Sequence, residues 1–254
     1  ARKAFQETDP PQHRAFRALV SKAFSRATVA GYEEAIRRIV TELLDEALEA
    51  GEFDAVDAIA RRLPMQMLAQ IMGVPADDAA WLVEKGDALI SNSDPDYTDF
   101  VIDKVDTDEY RLLPFRSPAA VELFDYANDL LDRMDAGEQI GVLNLVREET
   151  SHGTRMPRDE FRNFFCLLVA AGNDTTRYSI AATLHSLANN PALLAQLQQP
   201  DFALWEEATD EMIRWASPTS HFRRTATRDF DFHGKTVKAG DKVIMWFLSG
   251  NRDE

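Results

Sequence analysis

Between Pro157 and Asn189 the sequence carries its longest uninterrupted helical pattern, with the Asn190-Pro191 pair as the next breaker. At about 1.5 Å per residue this stretch spans roughly 45–50 Å, the width of a whole domain. Pro157 suits the first helical turn, and Asp159 and Glu160 suit the positive end of the helix dipole. A chain with such a rod must arrange its other elements around it. Counting about 100° per residue from Thr175, one stripe collects Leu168, Ala171, Gly172, Ser179 and Ala182, nearly all small. That stripe leaves room for something flat and bulky, or for the close crossing of a second helix. Gly172, Asp174, Thr175 and Thr176 are poor helix formers in mid-helix, and the threonine hydroxyls can bond back to carbonyls of the preceding turn and bend the rod.

The 254 residues are 45% hydrophobic and 28% charged, which is enough apolar material for a full core and gives no sign of disorder or of a repeat. The expectation is one soluble domain. No apolar run reaches about 18 residues, and the opening ARKAFQETDPPQ has no apolar signal-peptide core, so neither a membrane span nor secretion is supported. The single cysteine leaves no internal disulfide framework and fits a reducing cytoplasm. A net charge of −15 argues against nucleic acid, whose binding needs clustered Lys and Arg. Small molecules or protein partners remain.

Along the chain, His13 to Phe24 reads as a helix with Phe16, Leu19, Val20 and Ala23 on one side. His13 and Arg17, at i and i+4, share a face that suits a carboxylate or phosphate, or simply solvent. Gly31 to Ala50 reads as an amphipathic scaffold helix, Asp54 to Ile59 as a connector, and Leu63 to Gly73 and Pro75 to Ile90 as two more helices. The acidic stretch from Ser91 to Pro118 breaks the pattern and is expected to be a loop. Helical periodicity returns from Pro118 to Met134, and Asp201 suits the cap of a helix running to Trp215. After Ser217-Pro218, alternation around Phe230 and Phe232 and the run Val243 to Phe247, with turns at His233-Gly234 and Ala239-Gly240, predict a small β-meander.

Five segments together resemble the cytochrome P-450 monooxygenases. Ala171-Gly172-Asn173-Asp174-Thr175-Thr176 is similar to the oxygen-activating segment of that family's long central helix. His13-Arg-Ala-Phe-Arg17 is similar to its HxxxR haem-propionate pattern, and Glu211-Met-Ile-Arg214 to its ExxR pair, which a later Arg or Asn locks. Arg224-Thr-Ala-Thr-Arg-Asp229 and Asn251-Arg252-Asp253 resemble the second propionate arginine and the short helix after it. The resemblance implies a mainly α fold of the P-450 type with a long central helix and a small β-meander, incomplete at both ends. It implies one partial domain over 1–254, mostly helical to 218 with a lid near 91–118, and a β region at 219–250. Asp174 and Thr175 are then catalytic; His13, Arg17, Ala171, Gly172 and Arg224 hold the cofactor, haem b. Glu211 and Arg214 form a structural ion pair, while Leu168, His221 and Phe222 line the substrate pocket.

The resemblance also implies a Cys thiolate on the haem iron, from a glycine-rich loop downstream of the segment like Asn251-Arg252-Asp253; that loop is absent from these 254 residues. Cys166 lies nine residues before Thr175, on the opposite face of the same helix, and reads as a small buried hydrophobe. The implied reaction is insertion of one atom of O2 into an alkyl chain, terpene or sterol side chain. Its electrons come from NAD(P)H through ferredoxin and ferredoxin reductase or a fused reductase. Two other readings stay open: an inactive truncated fragment that binds an apolar ligand, and an unrelated helical interaction protein.

Overall fold

The structure, a computed structural model, describes residues 5–21, 23–91, 94–96, 99, 108–147, 155–199 and 202–253. Part of the stretch expected as a lid, residues 92, 93, 97, 98 and 100–107, lies outside those residues, as does Asp201, expected as a helix cap. The chain forms two compact units, residues 1–177 and 178–254.

The first unit is helical. Its elements are α1 (Gln12–Ser21), α2 (Arg26–Ala30), α3 (Glu33–Ala50), α4 (Arg62–Met72), α5 (Ala79–Ile90), α6 (Ala119–Asp135), α7 (Gly141–Arg147) and the first two-thirds of α8 (Arg158–Ala188). α1 stops short of the expected Phe24. Ser21 Oγ donates to the Ala18 carbonyl at 2.9 Å, a side-chain bond that competes with continued helix. The expected connector after Asp54 winds into a π-helical turn over Val56–Ala60. The rod is α8, unbroken within one residue of the bounds its flanking breakers predict.

The core lies where α4, α5, α6, α7 and α8 meet, and Leu82, Leu123, Leu130, Leu143, Phe161 and Phe165 are among its most enclosed large side chains. Two glycines fix one crossing. Gly73 closes α4 in the left-handed conformation (φ 73°), and a Cβ there would lie 2.4 Å from the Gly141 nitrogen at the start of α7. A Cβ on Gly141 would in turn sit 2.6 Å from the Gly73 nitrogen. Only two bare backbones pass this closely.

The second unit contains the end of α8, α9 (Pro191–Leu197), α10 (Phe202–Ala216), β1 (His221–Thr225), β2 (Phe230–Phe232), β3 (Lys235–Val237), β4 (Lys242–Trp246) and the short α11 (Phe247–Gly250). Asn190 caps α9 by accepting from the Leu193 N–H, with Pro191 at the first helical position. The expected β region is present, and its pairing is nested. β1 runs antiparallel to β4, from His221 opposite Trp246 to Thr225 opposite Lys242, and β2–β3 form a hairpin between them. His233 and Gly234 both have positive φ (49° and 75°), the conformation that turns a two-residue hairpin back on itself.

Candidate functional site

Residues 171–176 form two turns in the middle of α8. Thr175 Oγ1 donates to the Ala171 carbonyl at 3.2 Å, the back-bond that a mid-helix threonine favours. Leu168, Ala171 and Gly172 line an apolar cavity of about 490 Å³, together with Leu68 and Met72 of α4 and Ile36 of α3. Thr176, which the sequence marks as a poor mid-helix residue at the end of the oxygen-activating segment, completes the α8 wall. The part of the small-residue stripe formed by Leu168, Ala171 and Gly172 therefore faces open apolar space, while Thr175, Ser179 and Ala182 do not line it. Gly172 has a second reason to be small: a Cβ there would meet a terminal methyl of Leu68 at 2.9 Å, so it also lets α4 approach α8.

Asp174 is held. Arg177, one turn on, reaches its Oδ1 with Nη2 at 2.5 Å and grips Asp87 of α5 with Nη1 at 3.0 and 3.1 Å. Asp87 is 4% exposed, and it also accepts from Arg61 at 3.2 Å and from the Asn173 amide at 3.2 Å. Two guanidiniums and an amide around one buried carboxylate supply the compensation that a buried charge requires. Burial works against the Arg177 charge, but Asp87 and Asp174 outweigh it and its pKa stands above the ordinary value. Sequence reasoning missed Asp87, Arg61 and Arg177. The available signal was that Asp87 falls on the buried stripe of α5, in step with Ala79, Leu82, Val83 and Gly86, where a carboxylate must find a cation.

On α1, buried Phe16 anchors the helix, His13 is half-buried and Arg17 is exposed. Cys166 is fully enclosed, and burial pushes its thiol up to about 12, so it is an inert packing group.

The second unit holds a separate knot. Arg214 donates to both Glu211 oxygens at 2.6 Å, from Nε and Nη2, and its Nη1 donates to the Asn251 carbonyl. Asn251 donates to Ser217 Oγ at 2.9 Å; Arg252 bonds the Trp215 carbonyl at 3.0 Å and lies 3.8 Å from the centre of its ring. The hydrogen bond from Arg214 holds the Glu211 carboxyl below its usual range. Along β1, His221 packs on Trp246 at 4.8 Å and Phe222 meets Phe247 edge-on at 5.7 Å. Arg224 lies 5.9 Å from the Phe222 ring centre. Neither Arg17 nor Arg224 has a carboxylate partner among the described residues.

A family profile described as Cytochrome P450 matches residues 2–254. The chain belongs to the cytochrome P450 family. Among curated relatives of this P450 chain, it is 31% identical over 248 residues to a steroid C26-monooxygenase of Mycolicibacterium smegmatis, covering 97% of this chain and 54% of that protein. It is 32% identical over 251 residues to a methyl-branched lipid omega-hydroxylase of Mycobacterium bovis, at 97% and 55% coverage. Its fold is similar to the solved Mycobacterium marinum cytochrome P450 CYP268A2 in complex with pseudoionone, with a TM-score of 0.86, 33% identity, and coverage of 100% of this chain and 59% of that one. The chain spans about half the length of the curated relatives it matches. No helix of the P450 chain is long and apolar enough to cross a membrane, among the described residues.

Proposed function

We propose that the intact protein is a haem-dependent monooxygenase that inserts one atom of O2 into an apolar small molecule. The observation that carries this reading is the pairing on α8 of an apolar, small-residue wall with the adjacent Asp174 and Thr175. The residue types suit a haem: the cavity wall in the first unit is apolar, and Arg17 in that unit and Arg224 in the other are each cations without a carboxylate partner among the described residues, the chemistry a propionate needs. His13, Arg17 and Arg224 are assigned to the propionates, with Ala171 and Gly172 against the macrocycle. Haem, when bound with a thiolate ligand, supplies dioxygen activation and the electron chemistry.

This chain's own residues position and deliver protons. Thr175 Oγ1 donates to the Ala171 carbonyl, and rotated off that carbonyl the same hydroxyl would donate to oxygen or water. Asp174 is 40% exposed at its side chain, with Oδ1 on Arg177, which leaves Oδ2 to take a proton from solvent and pass it toward Thr175. Leu168, His221 and Phe222 are assigned to the substrate pocket. Glu211 and Arg214 brace the scaffold through Asn251.

The relatives named for steroid and methyl-branched lipid oxidation support an alkyl chain, terpene or sterol side chain as substrate. Electrons are assigned to NAD(P)H through ferredoxin and ferredoxin reductase or a fused reductase, in a cytoplasmic setting. The test is the reduced, CO-bound absorption spectrum of the intact protein. A thiolate-type Soret band is expected; a haem-free protein overturns the reading. In that protein Thr175→Ala is expected to divert reducing equivalents to peroxide, and unchanged coupling sinks the assignment of Thr175.

A further inference from the structure

Three aromatic rings from three helices of the first unit lie in a row. Trp81 of α5 and Tyr126 of α6 have ring centres 5.2 Å apart, and Tyr126 stacks on Phe165 of α8 at 5.7 Å. The Tyr126 hydroxyl donates to Asp78 Oδ2 at 2.6 Å. Asp78 stands at the N-cap of α5, where an aspartate ordinarily accepts from the helix backbone, yet its side chain makes no cap bond. Its carboxylate is committed to the phenol instead. Burial, and then this hydrogen bond, raise the Tyr126 pKa well above the ordinary phenol value, so the ring keeps its proton at rest.

Such a phenol is hard to ionise and comparatively easy to oxidise. An electron leaving Tyr126 alone would create a positive ring in a half-buried site, a costly charge. When the proton crosses to Asp78 in the same step, the ring stays neutral and the carboxylate loses its own charge. Trp81 is a poorer resting place for a positive charge, because Lys85 Nζ lies 6.0 Å from its ring centre; Glu122, 2.9 Å from that ammonium, softens the effect. A hole passing along the stack therefore settles on Tyr126.

We infer that Tyr126 is a one-electron relay, with Asp78 as its proton acceptor and half-buried Trp81 as its contact toward the surface. In the step, the Tyr126 O–H bond breaks; one electron goes to the oxidant and the proton to Asp78 Oδ2, giving a neutral phenoxyl radical and a neutral carboxylic acid. One electron from a small thiol or ascorbate reductant, arriving through Trp81, and the proton returned from Asp78 restore both groups. For its oxidant the relay rests on the monooxygenase reading: a haem–oxygen centre whose oxidising equivalent has found no substrate. Phe165 lies six residues before Ala171, about 9 Å along the α8 axis, so one end of the stack rests on the helix that carries the proposed oxygen site.

The experiment uses the intact protein and a photogenerated ruthenium(III) tris-bipyridine oxidant, which needs no haem turnover. Wild type is expected to give a neutral tyrosyl radical by electron paramagnetic resonance. Most of that signal is expected to vanish in Tyr126→Phe, which keeps the ring stack, and to form several-fold more slowly in Asp78→Asn, with circular dichroism confirming that both fold. An equal radical yield in Tyr126→Phe, or an unchanged rate in Asp78→Asn, overturns the relay and leaves the contact as a tie between α5 and α6. Because the oxidant is external, this outcome is separable from the carbon monoxide spectrum that tests haem binding. In haem-loaded protein exposed to peroxide without substrate, Tyr126→Phe is expected to inactivate several-fold faster, and equal inactivation removes the protective role.

Discussion

Each unit carries an arginine clasping a carboxylate, and the two clasps differ in everything but chemistry. Arg214 meets Glu211 as a two-pronged fork at 2.6 Å, whereas Arg177 meets Asp87 through one nitrogen at 3.0 and 3.1 Å. By geometry the first is the better pair. By environment the order reverses, because the Glu211 side chain is 59% exposed and the Asp87 side chain 5%. Water already solvates Glu211 and screens its partner, while Asp87 has given up water and depends on Arg177, Arg61 and Asn173. Distance describes how a pair is built; burial decides what its loss does.

Asp87→Ala is the largest way to break the contrast. It strands two guanidiniums beside a cavity and is expected to cost about 3–5 kcal/mol in denaturant unfolding of the intact protein. The double change Asp87→Leu with Arg177→Met should recover most of that loss; no recovery would mean that the cluster is not the unit described. Gly172→Ala comes next, forcing the Leu68 methyl aside for about 1–3 kcal/mol, and Leu68→Ala in the same chain should relieve the clash.

Cys166 probes burial with a neutral group, through an effect confined to alkaline pH. Burial lifts the folded Cys166 pKa from 9.0 to about 12, so the folded state holds a proton that the unfolded state has released between those values. Stability from this site is complete below pH 9 and falls through that window, by roughly 1.4 kcal/mol per pH unit. Cys166→Ala should therefore show a shallower alkaline loss than wild type, and parallel slopes would contradict the enclosure of the thiol. At the small end, Glu211→Gln should hardly change unfolding in this chain, while raised salt should remove what difference there is.

The rod was legible because its ends are written in breakers: Pro157 and Asn190-Pro191 bracket α8 to within a residue. The pair of Glu211 and Arg214 was legible through the resemblance, which also implied a later Arg or Asn to lock it; that Asn251, 37 positions on, meets Arg214 came from the structure. Asp87 was not, since its partner Arg177 is 90 residues away and periodicity reports which face of a helix is buried but not what it meets. The same limit hid Leu68 behind Gly172. It also hid the nested pairing of β1 with β4, since a run of short strands reads as a meander until the partners are seen.

That nesting has a practical reach. The chain leaves β1 at Thr225 and returns at Lys242, directly opposite, and backbone bonds between Ala226 and Asp241 (2.9 Å) and between Gly240 and Ala226 (2.8 Å) fasten the neck of the excursion. Whatever lies beyond the neck can change length without shifting the β1–β4 register. A fluorophore-bearing loop or an affinity peptide spliced in at the exposed His233-Gly234 tip would ride outside the fold as a handle.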